Sequence, residues 1–278
     1  MQAFALVALA VWVAAGCHSY DPLAELPHRE FATTAEAIDA ILAEVPNVRV
    51  YAVGEYHITR KTAGTGSTSL SHFTDEVLGL LEPRAHHLVV ESWLDSKCRS
   101  SARAQIASAI DRPSRQAKQL DALMVRSRRL RIETHDLPIT CIEHDALLDP
   151  SGRVDFLQLL EMVTDKLHDE TRAVLAADPD SAVIVYGGAL HNDLYPRWPL
   201  EDLSYAQPLA RELGGGVLEL DLIVPEVVQG LALGHSEAWT PLLHLASPNR
   251  VVVWERGPSS YVVILPAQPP VAGPIASM

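Results

Sequence analysis

Short, nearly continuous apolar runs recur along this chain, each followed by a turn signal and then by a segment with helical spacing. They read "VRVYAV" (48–53), "HLVVES" (87–92), "PITCIEH" (138–144), "AVIVYGG" (182–188) and "GVLELDLIV" (216–224). A strand with one wet face alternates apolar and polar residues. A strand buried on both faces does not, and such strands belong to parallel sheets covered by helices on both sides. The segments between the runs supply those helices. "TTAEAIDAILAEV" (33–45) repeats apolar residues at helical spacing behind a Thr cap, and "LSHFTDEVLGLLEPR" (70–84) is stopped by Pro83. Residues 97–131 read as helical with a break at Pro113, 153–178 as one or two helices, and 203–216 as a helix ended by glycines. "RVVVWERGPSSYVVILP" (250–266) reads as a hairpin across Gly257-Pro258. The expected fold is α/β: a three-layer α/β/α sandwich with a mostly parallel central sheet and a C-terminal antiparallel hairpin at its edge.

The two ends of the chain follow different rules. "MQAFALVALAVWVAAGC" is an apolar core of signal-peptide length, shorter than the roughly 20 residues a spanning helix needs. Its ending, Ala14-Ala15-Gly16-Cys17, resembles a bacterial lipobox, in which the cysteine is lipidated. The expected organisation is a lipoprotein signal peptide (1–17), a polar tether (18–30), a single domain (31–266) and a proline-rich disordered tail (267–278). The expected location is the bacterial cell envelope, lipid-anchored, at the periplasmic or surface face of the outer membrane. His18 rather than Asp after the cysteine favours that sorting. Cys98 and Cys141 remain as either a disulfide, which an exported protein permits, or two buried thiols. A net charge of −13 argues against nucleic acid as a partner.

In an open parallel sheet, ligands bind outside the carboxyl ends of the strands. The expected strands end in Gly54-Glu55-Tyr56-His57, Glu91-Ser92-Trp93, Glu143-His144-Asp145 and Gly187-Gly188-Ala189-Leu190-His191. Four successive strands thus deliver Glu, His or both to one edge. Such a cluster is suited to a metal ion or to acid–base work. Crowded carboxylates repel one another, and a divalent cation (Zn, Mn or Fe) relieves that conflict. Glu55, His57, Glu91, His144 and His191 are the candidate ligands, and Glu55, His57, Glu91 and His191 the candidate catalytic groups. Glycine directly after a strand permits a sharp turn and close approach. Asn192 and Asp193 stand beside the second histidine, in position to orient it or a ligand.

The paired Gly-x-x-His motifs, Gly54–His57 and Gly188–His191, with Glu91 between them, resemble the TIKI/TraB/ChaN/erythromycin-esterase superfamily. "GEYH" is similar to the opening motif of its ChaN-like haem-binding lipoproteins. The resemblance implies an α/β/α fold with its site at the strand ends, and it splits on function. One implied activity is hydrolysis of a peptide, ester or lactone bond, metal-dependent in some members and using a histidine base in others. The alternative is haem binding for iron uptake, with Tyr56, His57 and His191 as contacts. Partners are accordingly a small-molecule or peptide substrate, or haem, with the membrane reached through the N-terminal lipid. Arg153-Val154-Asp155-Phe156 matches a further family motif poorly and takes no role. Tyr186 also bears on the haem reading, since phenolates hold haem iron. The Gly/Ser/Thr-rich stretch 58–72 reads as a surface loop or lid, and the basic run Lys97–Arg131 as a solvated helical face. No G-x-S-x-G or P-loop occurs.

Overall fold

The computed structural model describes residues 26–59, 62, 66–94, 97–110, 113, 115–229, 231 and 237–267. The apolar runs become β2 (Val50–Glu55), β3 (Ala85–Leu94), β5 (Ala182–Gly188) and β6 (Val217–Ile223). To these are added β1 (His28–Phe31), β4 (Glu133–Ile139), β7 (Val251–Gly257) and β8 (Ser260–Ile264). Every residue of β2, β5 and β6 is buried; β2 and β5 accordingly carry no polar alternation, while β6 buries Glu219 and Asp221 among its apolar residues. One sheet results, in the order β1-β7-β8-β6-β2-β5-β3-β4. Strands β6, β2, β5, β3 and β4 are mutually parallel, and β8 joins β6 in parallel. Strands β7–β8 form the antiparallel hairpin, and β1 pairs antiparallel with β7 outside it.

Helices cover both faces. Tyr51 and Val53 of β2, Leu88 and Val90 of β3, and Ile184 and Tyr186 of β5 pack beneath α1 (Thr34–Glu44), α2 (Ser69–His72), a π-helical turn (Phe73–Val77), α3 (Leu78–Leu81) and, beyond α4 (Ser100–Ala109), α5 (Arg115–Arg129). The alternate residues Val50, Ala52, Val89, Val183 and Val185 face the other way. Past α6 (Cys141–Ala146), they meet α7 (Phe156–Ala177) and, past α8 (Ala189–Asn192), α9 (Ala206–Glu212). Each fully buried Val, Leu or Ile contributes roughly 1.5–3 kcal/mol, so this double-sided burial dominates the stability of the sheet. A last short helix, α10 (Pro225–Val228), follows β6. No helix among the described residues is long and apolar enough to cross a membrane.

Three boundaries differ from the expectation. The sheet takes in His28–Glu30, assigned above to the tether, because an edge strand needs no apolar face when it pairs on one side only. The hairpin therefore lies one strand in from the edge. The fourth strand is Glu133–Ile139, and the residues expected to finish it, Glu143, His144 and Asp145, lie on α6. There Thr140 and Glu143 form a reciprocal capping box, which starts a helix where the apolar residues Ile139 and Ile142 suggest continued strand. Residues 1–25 and 268–278, on which the expected signal peptide, the lipobox cysteine Cys17, most of the expected tether and nearly all of the expected tail fall, lie outside the described residues.

Cys98 and Cys141 are joined as a disulfide, settling the alternative left open by the sequence. It fastens the entry to α4 against the start of α6, beside Ile106 and Ile139, which pack in one cluster and both line one cavity. Closing a loop across a sequence separation of 43 restricts the unfolded chain by about 4 kcal/mol on the loop-entropy model. The C98S/C141S variant should therefore melt well below the native protein, and reductant should lower the native melting temperature toward the variant's without moving the variant itself.

Candidate functional site

Strands β2 and β5 run side by side with Gly54 opposite Gly187 and Glu55 opposite Gly188. The two Gly-x-x-His motifs therefore leave the sheet next to each other. Neither Gly54 nor Gly188 has a positive φ; both are held by close approach. A β-carbon on Gly54 would stand 2.2 Å from Asp221 Oδ1 and 2.9 Å from the Ala189 backbone. One on Gly188 would stand 3.0 Å from His57 Nε2, 3.4 Å from His191 Cδ2 and 3.6 Å from Glu91 Oε2. Three predicted site residues thus converge over the second glycine, and "GEYH" and "GALH" face each other as their motifs require.

Glu55 continues the parity of Tyr51 and Val53 and points to the α5 face of the sheet, where it is almost wholly buried. Its charge is met by three donors. Tyr186 OH donates to Oε2 at 2.6 Å, Gln116 Nε2 donates to Oε1 at 2.8 Å, and His57 Nδ1 lies 2.6 Å from Oε1. A carboxylate only accepts, so this contact puts a proton on His57 Nδ1 and turns Nε2 toward Glu91, whose Oε1 is 3.6 Å away. Glu91 has the opposite parity, on the α7 face with Val89, and its Oε2 accepts from the Gly188 backbone N–H at 2.8 Å. His191 is buried and held from behind: its Nδ1 is 2.8 Å from Thr164 Oγ1 and 3.1 Å from the Leu203 carbonyl. The carbonyl can only accept, so Nδ1 carries the proton there as well.

A cavity of about 100 Å³ opens beside these groups. His57, Glu91 and His191 form its polar end. The rest is apolar: Ile106 from α4, Ile110 just past its end, Ile139 at the end of β4, and Phe156, Leu159, Leu160 and Val163 from α7. The site is therefore a small, greasy slot closed at one end by two imidazoles and a carboxylate.

The remaining predicted residues go elsewhere. Glu143 is a helix cap, 2.9 Å from Lys166 Nζ, and is not at the cavity. His144 is buried on α6 with its Nδ1 3.0 Å from Asp145 Oδ1, away from the cavity wall. Tyr56 packs edge-on against Trp239, and burial, reinforced by Asp221 and Glu237, pushes its phenol far above the usual value. Tyr186 is stacked on Phe73 of the π-helical turn with ring centroids 4.5 Å apart, and its hydroxyl is spent on Glu55. Asp155 caps α7. Part of the 58–72 loop lies outside the described residues; of the rest, Ile58, Thr62 and Leu70 are buried and Thr68 caps α2.

A donor set for a metal ion at this edge can be weighed from the same distances. Glu55 is committed to three donors, which leaves Glu91, His57 and His191 as the groups facing the cavity. Among the described residues, three or more ligand atoms of separate His, Cys, Asp or Glu side chains come within 4.8 Å of one another at His87, Glu133 and His135, and not at this edge. Of the four strand-end groups, Glu55 and His57 hydrogen-bond each other, His57 Nε2 stands 3.6 Å from Glu91 Oε1, and His191 is held by Thr164 and Leu203.

Gln116 and Thr164 were not singled out from the sequence, although both leave a trace there. Each is a polar residue on the buried stripe of its helix: Gln116 precedes Leu120 and Leu123 at helical spacing, and Thr164 precedes Leu167, Thr171 and Val174. A polar side chain on such a stripe must have a buried partner.

Behind the site lies a second polar cluster. Glu219 and Asp221 of β6 are fully buried on the α9 face of the sheet. Arg256 reaches Asp221 Oδ2 at 2.8 Å, Asp193 Oδ1 at 2.7 Å and Glu219 Oε1 at 3.2 Å. Asp193, beside the second motif, thus ties the turn after His191 to β6 and β7. Burial raises Asp221 to about 6 against the pull of Arg256. Glu219 is raised well above the carboxylate range by burial and by its neighbour Asp221.

No family model matches this chain, and no curated protein matches it. Among solved structures, the chain is similar to one described as "The structure of the type III effector HopBA1", at 11% identity over 79% of this chain and 88% of that chain, with a TM-score of 0.41.

Proposed function

We propose that this protein is a hydrolase of small apolar esters or lactones, on the plan that its Gly-x-x-His motifs resemble, with His57 as general base. The observation that carries this reading is the Glu55–His57 pair, with His57 at the polar end of an apolar slot and its Nε2 turned toward Glu91. In the proposed reaction a water hydrogen-bonded between His57 Nε2 and Glu91 Oε1, about 2.8 Å from each and off the line joining them, loses a proton to His57. Its oxygen attacks the acyl carbon, and the electron pair of the carbonyl moves onto oxygen. Glu55 stabilises the imidazolium, and Tyr186 and Gln116 hold Glu55 in place by donating to its two oxygens. Collapse of the tetrahedral adduct expels the alkoxide, which takes the proton back from His57. His191, gripped at Nδ1, presents its other edge to the same space and orients the acyl group. The proposed steps use the chain's own groups alone.

The slot sets the substrate class. A cavity of about 100 Å³ is below the roughly 300–1,000 Å³ of sites for drug-sized ligands, so it suits a short acyl chain rather than a peptide or a haem. Both tyrosines of the haem reading are engaged in packing or in holding Glu55, so the reading carried forward is hydrolysis. A series of p-nitrophenyl esters from acetate to decanoate tests it. Turnover should peak at a short chain, and Leu159→Phe should shift the optimum shorter. Equal rates across the series in both proteins, or no turnover of any member, would count against the proposal.

A further inference from the structure

The other end of β3 and β4 carries a second cluster. His87 and Glu133 are lateral neighbours on the two parallel strands, and His135 lies two residues beyond Glu133 on the same face. His87 stands four residues before Glu91, or about 13 Å at the ~3.3 Å rise of a strand, so this cluster is distinct from the proposed active site. The two rings face each other, His87 Nδ1 lying 3.1 Å from His135 Nε2, with their planes tilted by 47°. Glu133 Oε2 is 3.8 Å from His87 Nδ1.

The outer nitrogens decide what that contact is. His87 Nε2 lies 3.2 Å from Asp178 Oδ2, just past the end of α7, and His135 Nδ1 lies 3.0 Å from Glu170 Oε1 on α7. Carboxylates only accept, so each outer nitrogen carries its ring's proton. In the neutral tautomers both inner nitrogens are then bare lone pairs pointing at each other across 3.1 Å. That arrangement is repulsive unless a cation lies between them. A carboxylate on the outer nitrogen of each ring is also the usual way a metal-binding histidine is oriented. Two ligands ~2.1 Å from a tetrahedral ion stand about 3.4 Å apart, close to the spacing seen. The rings are mostly buried while Glu133 is largely exposed, so an ion can enter from solvent and Glu133 can close over it.

We propose that His87, His135 and Glu133 form a binding site for a zinc-class divalent ion at the opening ends of β3 and β4, with Asp178 and Glu170 fixing the rings through their outer nitrogens. Occupied, the site would clip this sheet edge to α7, the helix that walls the apolar slot. The test is calorimetric titration of ZnCl₂ into untagged, chelator-stripped protein, with Co²⁺ absorption as the second readout. One ion should bind per chain, with a cobalt spectrum of tetrahedral type, and His135→Ala should abolish both. Asp178→Asn and Glu170→Gln should each weaken binding by about 10–100-fold, and His57→Ala should leave it unchanged. Should His135→Ala fail to fold, His87→Gln serves in its place. Failure to bind either ion saturably would overturn the proposal and would mean that the rings share a proton instead. Binding lost with His57→Ala but kept with His135→Ala would overturn it too, by moving the ion to the strand-end site. Neither result would touch the hydrolase reading, which uses other residues and no metal step.

Discussion

Replacing His57 with alanine is expected to lower kcat/KM for short-chain ester hydrolysis by about 10³-fold, within the range for removal of a positioned general base. The substitution should leave the fold intact, because the His57 side chain is 28% exposed and packs at the rim of the slot. Glu55→Gln removes the charge that stabilises the imidazolium and should cost about 10²-fold. The two effects should not add. With His57 gone, Glu55 has no imidazole to orient, so E55Q/H57A should be no slower than H57A, whereas independent contributions would multiply. Rates fitted across this four-protein cycle separate a working pair from two residues that merely share a pocket. Full activity in H57A would end the general-base account.

Arg256→Met should be the most damaging single change to stability outside the apolar core. The arginine offsets three carboxylates, two of them fully buried, and its loss leaves them without a counter-charge. Removing one partner from a buried ionic network typically costs 3–5 kcal/mol. For a domain of this size that is a fall in melting temperature of roughly 6–20 °C.

The pH dependence has a definite sign. Asp221 holds its proton up to about 6 in the native state but releases it near 3.9 when unfolded. Between those values the native state binds more protons, so stability from this group is fully present below its unfolded pKa and is lost as pH rises through 6. Glu219 acts in the same direction and to higher pH. Without Arg256 both carboxylates hold their protons more tightly still, so the deficit of the variant should be greater at pH 8 than at pH 5. Glu219→Gln, which mimics the protonated side chain, should be neutral or mildly stabilising at pH 7. Thermal melts of the three proteins at pH 5 and pH 8 check all of this; a deficit that grows toward pH 5 would contradict the assignment of the protons.

The parallel core was legible because β2 and β5 are written as nearly unbroken apolar runs, which suit a sheet covered on both faces, and β6 departs from that pattern only at Glu219 and Asp221. β1 and β4 were not, for a shared reason. "HREF" and "ETHDLPI" sit at the two edges of the sheet, where one side has no neighbouring strand and polar residues cost little. At 140–143 two local signals competed. The β-branched run through Ile142 suggested strand, while Thr140 and Glu143 at capping-box spacing announced a helix, and the cap prevailed. His57, His191, Glu55 and Glu91 could be named because a parallel sheet forces the ends of its strands to one edge. Gln116, Thr164 and the His87–His135 pair could not be assembled the same way. Each depends on helix rotation or strand register, and register between β3 and β4 is set by packing over a separation of 48 residues. The expectation for the glycines was a sharp turn and close approach of a ligand; neither Gly54 nor Gly188 has a positive φ, and the close approach is that of protein side chains, Asp221 at Gly54 and His57 at Gly188.

In the proposed reaction the Glu55–His57 pair presents Nε2 to a carbonyl held in the apolar slot. A crystal structure with a short alkylphosphonate, which mimics the tetrahedral adduct, tests it most directly. A phosphonate oxygen should lie within hydrogen-bond distance of His57 Nε2, with the alkyl chain lying between Ile106, Phe156 and Val163. A phosphonate bound with its chain in solvent, or bound away from His57 altogether, would contradict it.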